Sequence, residues 1–212
     1  MNEKGAIIHI VDDDGSYRTA VGRLIEASGF GWIGYGSGAE FLARLPAPGP
    51  GCVLLDLRMP GVDGLELQGS LAKALPLLPV IFLTGQGDIV SSVSAMKAGA
   101  EDFLEKSASP DMLLAAIERG VALYRSRLSD HERTTGLRAR VASLTPRENL
   151  VFGLIVKGKR NKQIAHVLGT TERTVKAHRH NVMEKLGAHS FAEVVSIAER
   201  LGLVEETTPP LA

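Results

Sequence analysis

The sequence predicts two folded parts in tandem: an open α/β domain of five parallel strands with helices on both faces, then a small all-α domain of four helices. Three observations carry this. Strand-like apolar runs alternate with helical periodicity through the first 121 residues. Those runs are nearly continuous in apolar character rather than alternating, as expected of parallel strands covered on both faces. Beyond them no strand signal recurs, and four short helical segments follow with their own start and stop signals. With 212 residues, two domains can each bury a core.

Taken in order, residues 6–11 form an apolar run ending in Asp12-Asp13-Asp14, and Tyr17, Val21, Leu24 and Ile25 then recur at helical spacing. Residues 31–35 read as a weak strand, followed by a short helix carrying Phe41, Leu42 and Leu45. Residues 46–51 are turn-rich. Residues 52–57 form a short apolar strand broken by Met59-Pro60-Gly61; 65–75 read as a helix and 79–83 as a strand. Residues 89–98 read as a helix closed by Gly99, 102–105 as a last strand, and the chain from Met112 onward as helical. Leu113, Ile117, Val121, Tyr124 and Leu128 carry helical spacing into the arginine-rich stretch 122–142. The last helix is therefore expected to run on as a linker, with Thr134, Thr135 and Gly136 as its weak point.

In the second part, Thr145-Pro146-Arg147-Glu148 is a capping box with proline at the first helical position. Leu150, Val151, Leu154 and Ile155 then share an apolar face. Asn161 is expected to cap a helix carrying Ile164, Ala165 and Leu168, and Thr171 a longer one that runs to Leu186 and stops at Gly187. Ser190 and Glu193 form a second box before Val194, Val195, Ile197, Ala198 and Leu201. The expected division is an α/β domain at 1–121, a linker helix at 122–142, the all-α domain at 143–207 and a frayed tail at 208–212; fraying is expected from residue 205 on.

Composition is that of an ordinary soluble protein, 44% hydrophobic and 23% charged. No apolar run approaches the ~20 residues that span a bilayer. The first residues lack a secretory pattern, so a cytoplasmic protein without a membrane partner is expected. The single cysteine, Cys52, forms no intrachain disulfide and reads as a small core residue. Formal net charge is zero, which by itself argues against nucleic acid, but its distribution is uneven. Residues 1–121 carry 9 basic and 15 acidic side chains; 122–142 carry 5 and 2; 143–212 carry 10 and 7, with four of the six histidines. An acidic first half and a mildly basic second half suggest two different partners.

Four of the strand runs end in polar residues: Asp12-Asp13, Asp56, Thr84 and Lys106. In an open parallel sheet the strand C-termini line the ligand crevice, so these side chains converge. Three carboxylates together are costly unless a cation neutralises them, and hard oxygen donors suit Mg²⁺ (or Mn²⁺), which keeps waters and also binds phosphate. The lysine and the hydroxyl can hold the remaining phosphoryl oxygens. The chemistry this builds is phosphoryl transfer onto a carboxylate. Singly, each acidic residue reads as well as a solvated loop residue or a helix cap; the set at strand ends does not.

Ile10-Val11-Asp12-Asp13-Asp14, Leu54-Leu55-Asp56-Leu57-Arg58-Met59-Pro60-Gly61, Thr84-Gly85-Gln86-Gly87-Asp88, Ala95-Met96-Lys97-Ala98-Gly99-Ala100 and Asp102-Phe103-Leu104-Glu105-Lys106 resemble receiver domains of FixJ/NarL-type response regulators over residues 5–121. The resemblance implies a flavodoxin-like fold with Asp56 as phosphoacceptor. It implies that Asp12 or Asp13, Asp56 and the Arg58 backbone carbonyl hold Mg²⁺, and that Lys106 binds a phosphoryl oxygen. Thr84 and Phe103 would be the switch pair, and the responding face would run from Ile89 to Glu105. One departure is plain. The family has proline after this lysine, often in a cis peptide; here Ser107 follows. A non-proline cis bond costs ~2.5–4 kcal/mol, so the Lys106–Ser107 bond is expected to be trans, or strained if cis.

Residues 161–168, Gly169-Thr170-Thr171 and residues 172–186 form a helix, a tight turn and a helix, the pattern of a DNA-reading pair. The second helix offers Arg173, Lys176, His178, Arg179, His180 and Lys185. On spacing alone, a helical bundle with a solvated basic face also fits. Leu144-Thr145-Pro146-Arg147-Glu148, Asn161-Lys162-Gln163-Ile164-Ala165, Arg173-Thr174-Val175-Lys176-Ala177-His178-Arg179 and Asn181-Val182-Met183-Glu184-Lys185-Leu186-Gly187 resemble the LuxR-type DNA-binding domain over residues 143–203. That resemblance implies base reading by Lys176, Ala177 and His180. It implies phosphate contacts from Asn161, Lys162, Arg173, Thr174, Arg179 and Lys185, with Val175, Ile164 and Leu168 in the core. Thr170 stands where the family is apolar, Thr171 where it has serine, and Asn149 where arginine is commoner; Lys159-Arg160 is more basic than usual.

Together these readings predict a transcription regulator phosphorylated on Asp56 by a sensor histidine kinase. Its expected partners are double-stranded DNA, a second copy of itself when phosphorylated, and RNA polymerase. Two alternatives compete with this. One is a DNA binder that does not use its phosphorylation site, which the Ser107 departure keeps open. The other is a haloacid-dehalogenase-like phosphohydrolase. Asp12 and Asp14 have the spacing of its Asp-x-Asp-x-Thr motif, but Ser16 and Tyr17 follow in place of threonine, no cap domain is present, and the helix-turn-helix goes unexplained. The chain is expected not to be an enzyme beyond accepting, and itself hydrolysing, the phosphoryl group on Asp56.

Overall fold

The computed structural model describes residues 5–47, 49–85 and 89–204, with Ile89 and Val90 described by backbone alone. The tail expected to fray lies outside them, as does Gln86-Gly87-Asp88 of the fourth strand's motif. The chain divides into two compact units, Met1–Leu128 and Ser129–Ala212.

The first unit contains β1 (Ile7–Val11), α1 (Gly15–Ala27), β2 (Gly31–Tyr35), α2 (Gly38–Ala43), β3 (Gly51–Asp56), α3 (Gly64–Ala74), β4 (Val80–Thr84), α4 (Ile89–Lys97), β5 (Asp102–Glu105) and the start of α5 (Pro110–Ala142). The sheet is entirely parallel, in the order β2-β1-β3-β4-β5, which is the doubly wound α/β fold expected. Order reverses beside β1, so β1 and β3 flank the switch point where such sheets bind ligands. All six residues of β3 and all five of β4 are buried, as two-sided cover requires.

Each face has its own core. Ile8, Ile10, Cys52, Leu54, Ile81 and Leu83 pack with Val21 and Ile25 of α1 and Leu113, Ala116, Ile117 and Val121 of α5. Val11, Val53, Leu55 and Phe82 pack with Phe41, Leu67, Leu71 and Ala95 on the other side. Side chains alternate between the two sets along each strand.

Several boundaries differ from the sequence reading. β3 begins at Gly51 and β4 ends at Thr84, so Thr84 is inside its strand. Gly51 is required there: a Cβ would lie 2.0 Å from the Ile7 carbonyl oxygen of the neighbouring strand. Helix α2 stops at Ala43 with Arg44 as its C-cap, leaving Leu45 outside it and exposed. Helix α5 runs unbroken through Thr134, Thr135 and Gly136, and the division between the units falls within it.

The second unit holds the end of α5 with α6 (Pro146–Val156), α7 (Asn161–Leu168), α8 (Glu172–Leu186) and α9 (Phe191–Arg200). Val151, Phe152, Ile155, Ile164, Val175, Val182, Leu186, Val194 and Ala198 form its core. The Thr145 box forms both ways: Glu148 N–H donates to Thr145 Oγ1 at 3.3 Å and Thr145 N–H to Glu148 Oε2 at 2.8 Å. Thr171 caps α8, accepting from Thr174 N–H at 3.2 Å. Gly187 closes α8 in the left-handed region at φ 64°, where a glycine costs least. Asn161 does not cap α7. It is the first helical residue, and Arg160 occupies the cap position without a capping side-chain bond. Gln163 Oε1 instead accepts from the Arg160 N–H at 2.9 Å.

Candidate functional site

The strand ends of the first unit bring Asp12, Asp56, Thr84 and Lys106 to one edge of the sheet. Asp12 follows β1, Asp56 closes β3, Thr84 closes β4 and Lys106 follows β5. Lys106 is set by the sheet itself, because its N–H donates to the Thr84 carbonyl at 2.7 Å and extends the β4–β5 ladder by one rung. Its ammonium lies 2.7 Å from Asp12 Oδ2 and 2.9 Å from Asp56 Oδ2. It also sits 4.8 Å from the centre of the Tyr17 ring, a neighbour that sequence reasoning did not single out. No cis peptide bond occurs among the described residues, so the Lys106–Ser107 bond is trans and the lysine still reaches both carboxylates.

Asp12 and Asp56 are buried and Asp13 is exposed; one carboxylate oxygen from each lies within 4.8 Å of the others. Burial pushes the Asp12 carboxyl up, opposed by Lys106 and the Asp14 N–H. Burial alone would lower the Lys106 ammonium, but bonds to Asp12 and Asp56 outweigh it and raise it. Asp12 Oδ1 accepts from Asp14 N–H at 2.9 Å, and Asp56 Oδ1 from Arg58 N–H at 3.1 Å. Arg58, expected to offer its carbonyl, thus sits directly beside the Asp56 carboxylate. Asp12 Oδ2 is buried, and the Lys106 ammonium is its partner. Three hard oxygen donors facing one ammonium leave excess negative charge, and this donor set fits a hard divalent cation such as Mg²⁺.

Thr84 is buried at the end of β4. Phe103, one strand over on β5, is half-buried with its ring 6.1 Å from that of Phe82.

In the second unit, α7, the turn at Gly169 and α8 form the helix-turn-helix expected. Val175 and Ile164 are fully buried and Leu168 packs against them. Thr170 is half-buried, its N–H donating to Ala165 O at 3.0 Å. Arg173, Thr174, Lys176, Ala177 and His180 of α8 and Lys162 of α7 are exposed, and Asn161 is half-buried at the start of α7. The Thr174 hydroxyl lies 2.9 Å from that of Thr171.

Two residues expected to meet phosphate are engaged within the protein. Lys185 donates to Glu148 Oε2 at 2.6 Å, neutralising a buried carboxylate of α6. Arg179 is half-buried, with its guanidinium 3.7 Å from the centre of the Phe191 ring and one N–H donating to the Lys159 carbonyl at 3.3 Å. Burial lowers the Arg179 guanidinium from its ordinary value. Lys185 is exposed like Arg173 and Lys176 of the same helix, and Arg179 is half-buried, so nothing in their local sequence separated them. Their partners lie 37 and 20 residues away.

Residues 8–118 match the family of response regulator receiver domains, and residues 142–198 match the family of bacterial regulatory proteins of the luxR type. Over 206 residues the chain is 38% identical to the transcriptional regulatory protein FixJ of Bradyrhizobium diazoefficiens, covering 97% of this chain and all of that one. The chain belongs to the FixJ/NarL-type response regulators. Such a regulator from Salmonella typhimurium, the tetrathionate response regulatory protein TtrR, is 38% identical over 94% of this chain and 95% of its own. Among solved structures, the response regulator StyR matches with a TM-score of 0.77 and 41% identity, over 92% of this chain and 99% of that one. No helix among the described residues of this response regulator is long and apolar enough to cross a membrane.

Proposed function

We propose that this response regulator is a cytoplasmic transcription factor whose DNA binding is gated by phosphorylation of Asp56. The observation that carries the reading is Lys106, whose ammonium lies within 2.9 Å of both Asp12 and Asp56 on a chain that also carries a helix-turn-helix. Asp12, Asp13, Asp56 and the Arg58 carbonyl would hold Mg²⁺, which supplies positive charge to the phosphoryl oxygens when bound. Asp56 attacks the phosphorus of a phosphohistidine on a sensor kinase. An O–P bond forms, the P–N bond breaks, and the electron pair returns to the imidazole. Lys106 then exchanges its contact with Asp56 for a phosphoryl oxygen. The Thr84 hydroxyl turns to another, and the Phe103 ring moves inward behind it.

The face from Ile89 to Glu105 carries the change outward. Val93 and Met96 of α4, each 47% exposed, favour burial against a second copy of the chain. A dimer presents two α8 helices to two half-sites. Lys176, Ala177 and His180 read bases; Asn161, Lys162, Arg173 and Thr174 meet phosphates. RNA polymerase is the partner expected of a bound regulator. The chain accepts a phosphoryl group and loses it by hydrolysis, without sustained turnover of a phosphate ester.

The test is solution mass and DNA affinity with and without beryllofluoride and Mg²⁺, on wild type and Asp56→Ala. Dimerisation and tighter binding in wild type alone is the expected result. Equal binding by wild type in both conditions would show that Asp56 is not the switch.

A further inference from the structure

Arg179 has a place in the second unit that neither base reading nor phosphate binding explains. It projects from the middle of α8, and three elements meet at its guanidinium. One face stacks on Phe191, the first residue of α9, at 3.7 Å. One N–H donates to the carbonyl of Lys159, in the loop between α6 and α7. Its Nε is buried and has no hydrogen-bond partner. Leaving a buried donor unmet is unfavourable, so the position is held by the two contacts that are made.

The loop it holds carries Lys157, Lys159 and Arg160, all exposed, and leads directly into Asn161 and Lys162 of α7. Its backbone is tied at successive residues. Lys159 N–H donates to Leu154 O at 3.0 Å, the Lys159 carbonyl accepts from Arg179, and Arg160 N–H donates to Gln163 Oε1 at 2.9 Å. Arg160 stands where a helix favours Ser, Thr, Asp or Asn, and where the positive end of the helix dipole disfavours a cation. A residue that local stability disfavours, in a loop pinned on both sides of it, points to a role outside the fold.

We infer that Arg179 is a positioning residue: through the Lys159 carbonyl, with Phe191 behind it, it holds the α6–α7 loop so that Lys159 and Arg160 meet the phosphate backbone of bound DNA. It does so without touching phosphate. This rests on the DNA-binding reading above. Ordering the loop before DNA arrives removes the entropic cost of fixing two long cationic side chains on their own tether.

The experiment measures affinity of the full chain, in beryllofluoride and Mg²⁺, for a labelled mixed-sequence DNA duplex across a salt series. It uses wild type, Arg179→Ala, Arg179→Lys, Lys159→Ala/Arg160→Ala, and Arg179→Ala added to that pair. Removing both loop cations lowers the slope of log affinity against log salt by about two, one for each phosphate no longer neutralised. Arg179→Ala in the wild-type background weakens binding on the order of tenfold. In the background lacking both loop cations it changes affinity by less than about twofold, because its effect passes through them. Arg179→Lys keeps the charge and loses the stacked, forked geometry, so it does not rescue. Equal losses from Arg179→Ala in both backgrounds, or full rescue by lysine, would overturn the assignment. A general loss of folding gives equal losses too, and circular dichroism of the variants separates it from direct phosphate binding. Absence of DNA binding by wild type in beryllofluoride and Mg²⁺ would overturn the DNA-binding reading and this inference with it.

Discussion

Glu148 shows how a single buried charge is made tolerable. It lies at the third position of α6, and its Oε2 receives the Lys185 ammonium and the Thr145 N–H. The Lys185 bond, then the Thr145 N–H, hold its carboxyl down at about 2, against an ordinary value of 4.5. A carboxyl whose folded value is depressed contributes stability that is complete above the unfolded value. That contribution is lost as pH falls from 4.5 toward about 2. Glu148→Gln should therefore lower the melting temperature of the helix-turn-helix unit at neutral pH and flatten its acid dependence across that window. Thermal melts of both proteins from neutral to acidic pH check this. Parallel curves would mean that the ion pair adds nothing. Lys185 belongs to the same account, since its ammonium is the partner that Glu148 takes within the unit.

At the scale of elements, β1 and β3 approach so closely at Gly51 that the position admits no side chain. The atom a Cβ would strike, the Ile7 carbonyl oxygen at 2.0 Å, is backbone and cannot rotate away. Gly51→Ala is thus expected to cost about 1–3 kcal/mol, the usual penalty of forced overpacking. It should also loosen the β1–β3 pairing that sets Asp12 beside Asp56. Denaturant unfolding reads the first effect and beryllofluoride binding the second. A variant as stable as wild type would show that the strands can part without loss. Gly22 makes a useful contrast. A Cβ there meets the Trp32 ring at 2.3 Å, and a half-buried side chain can shift where a strand cannot.

Across the whole molecule, the two units have separate cores and separate chemistry. Mg²⁺ binds only the carboxylates of the first in the function proposed above. At a hundredfold excess over its Kd it should stabilise that unit by about 2.7 kcal/mol. Calorimetry of the full chain should show the gain in the receiver's transition, and Asp13→Asn should reduce it. An unchanged receiver transition in Mg²⁺ would speak against the carboxylates as a metal site. The features legible in the sequence were those written in local pattern. Continuous apolar runs marked β3 and β4, and capping boxes marked α6 and α9. Polar residues at strand ends marked the acidic site, because parallel topology forces them together. What stayed hidden depended on tertiary partners. Arg160 took the cap position from Asn161 because Gln163 could serve its N–H. Tyr17 came to lie beside Lys106. The contacts of Lys185 and Arg179 were indistinguishable from those of the other α8 cations until Glu148 and Phe191 were placed.

Cys52 gives the receiver a chemical clock. It is wholly enclosed in β3, and burial pushes its thiol up to about 12. Gly120 of α5 packs so near that a Cβ there would lie 3.1 Å from the cysteine's own Cβ. A thiol so placed is inert to alkylating reagents and oxidants while the sheet is closed. Since the chain has one cysteine, every modified molecule reports one opening of the receiver core. Whatever tightens the receiver, from Mg²⁺ to a phosphoryl group on Asp56, should slow that clock in proportion, with no label attached to the protein beforehand.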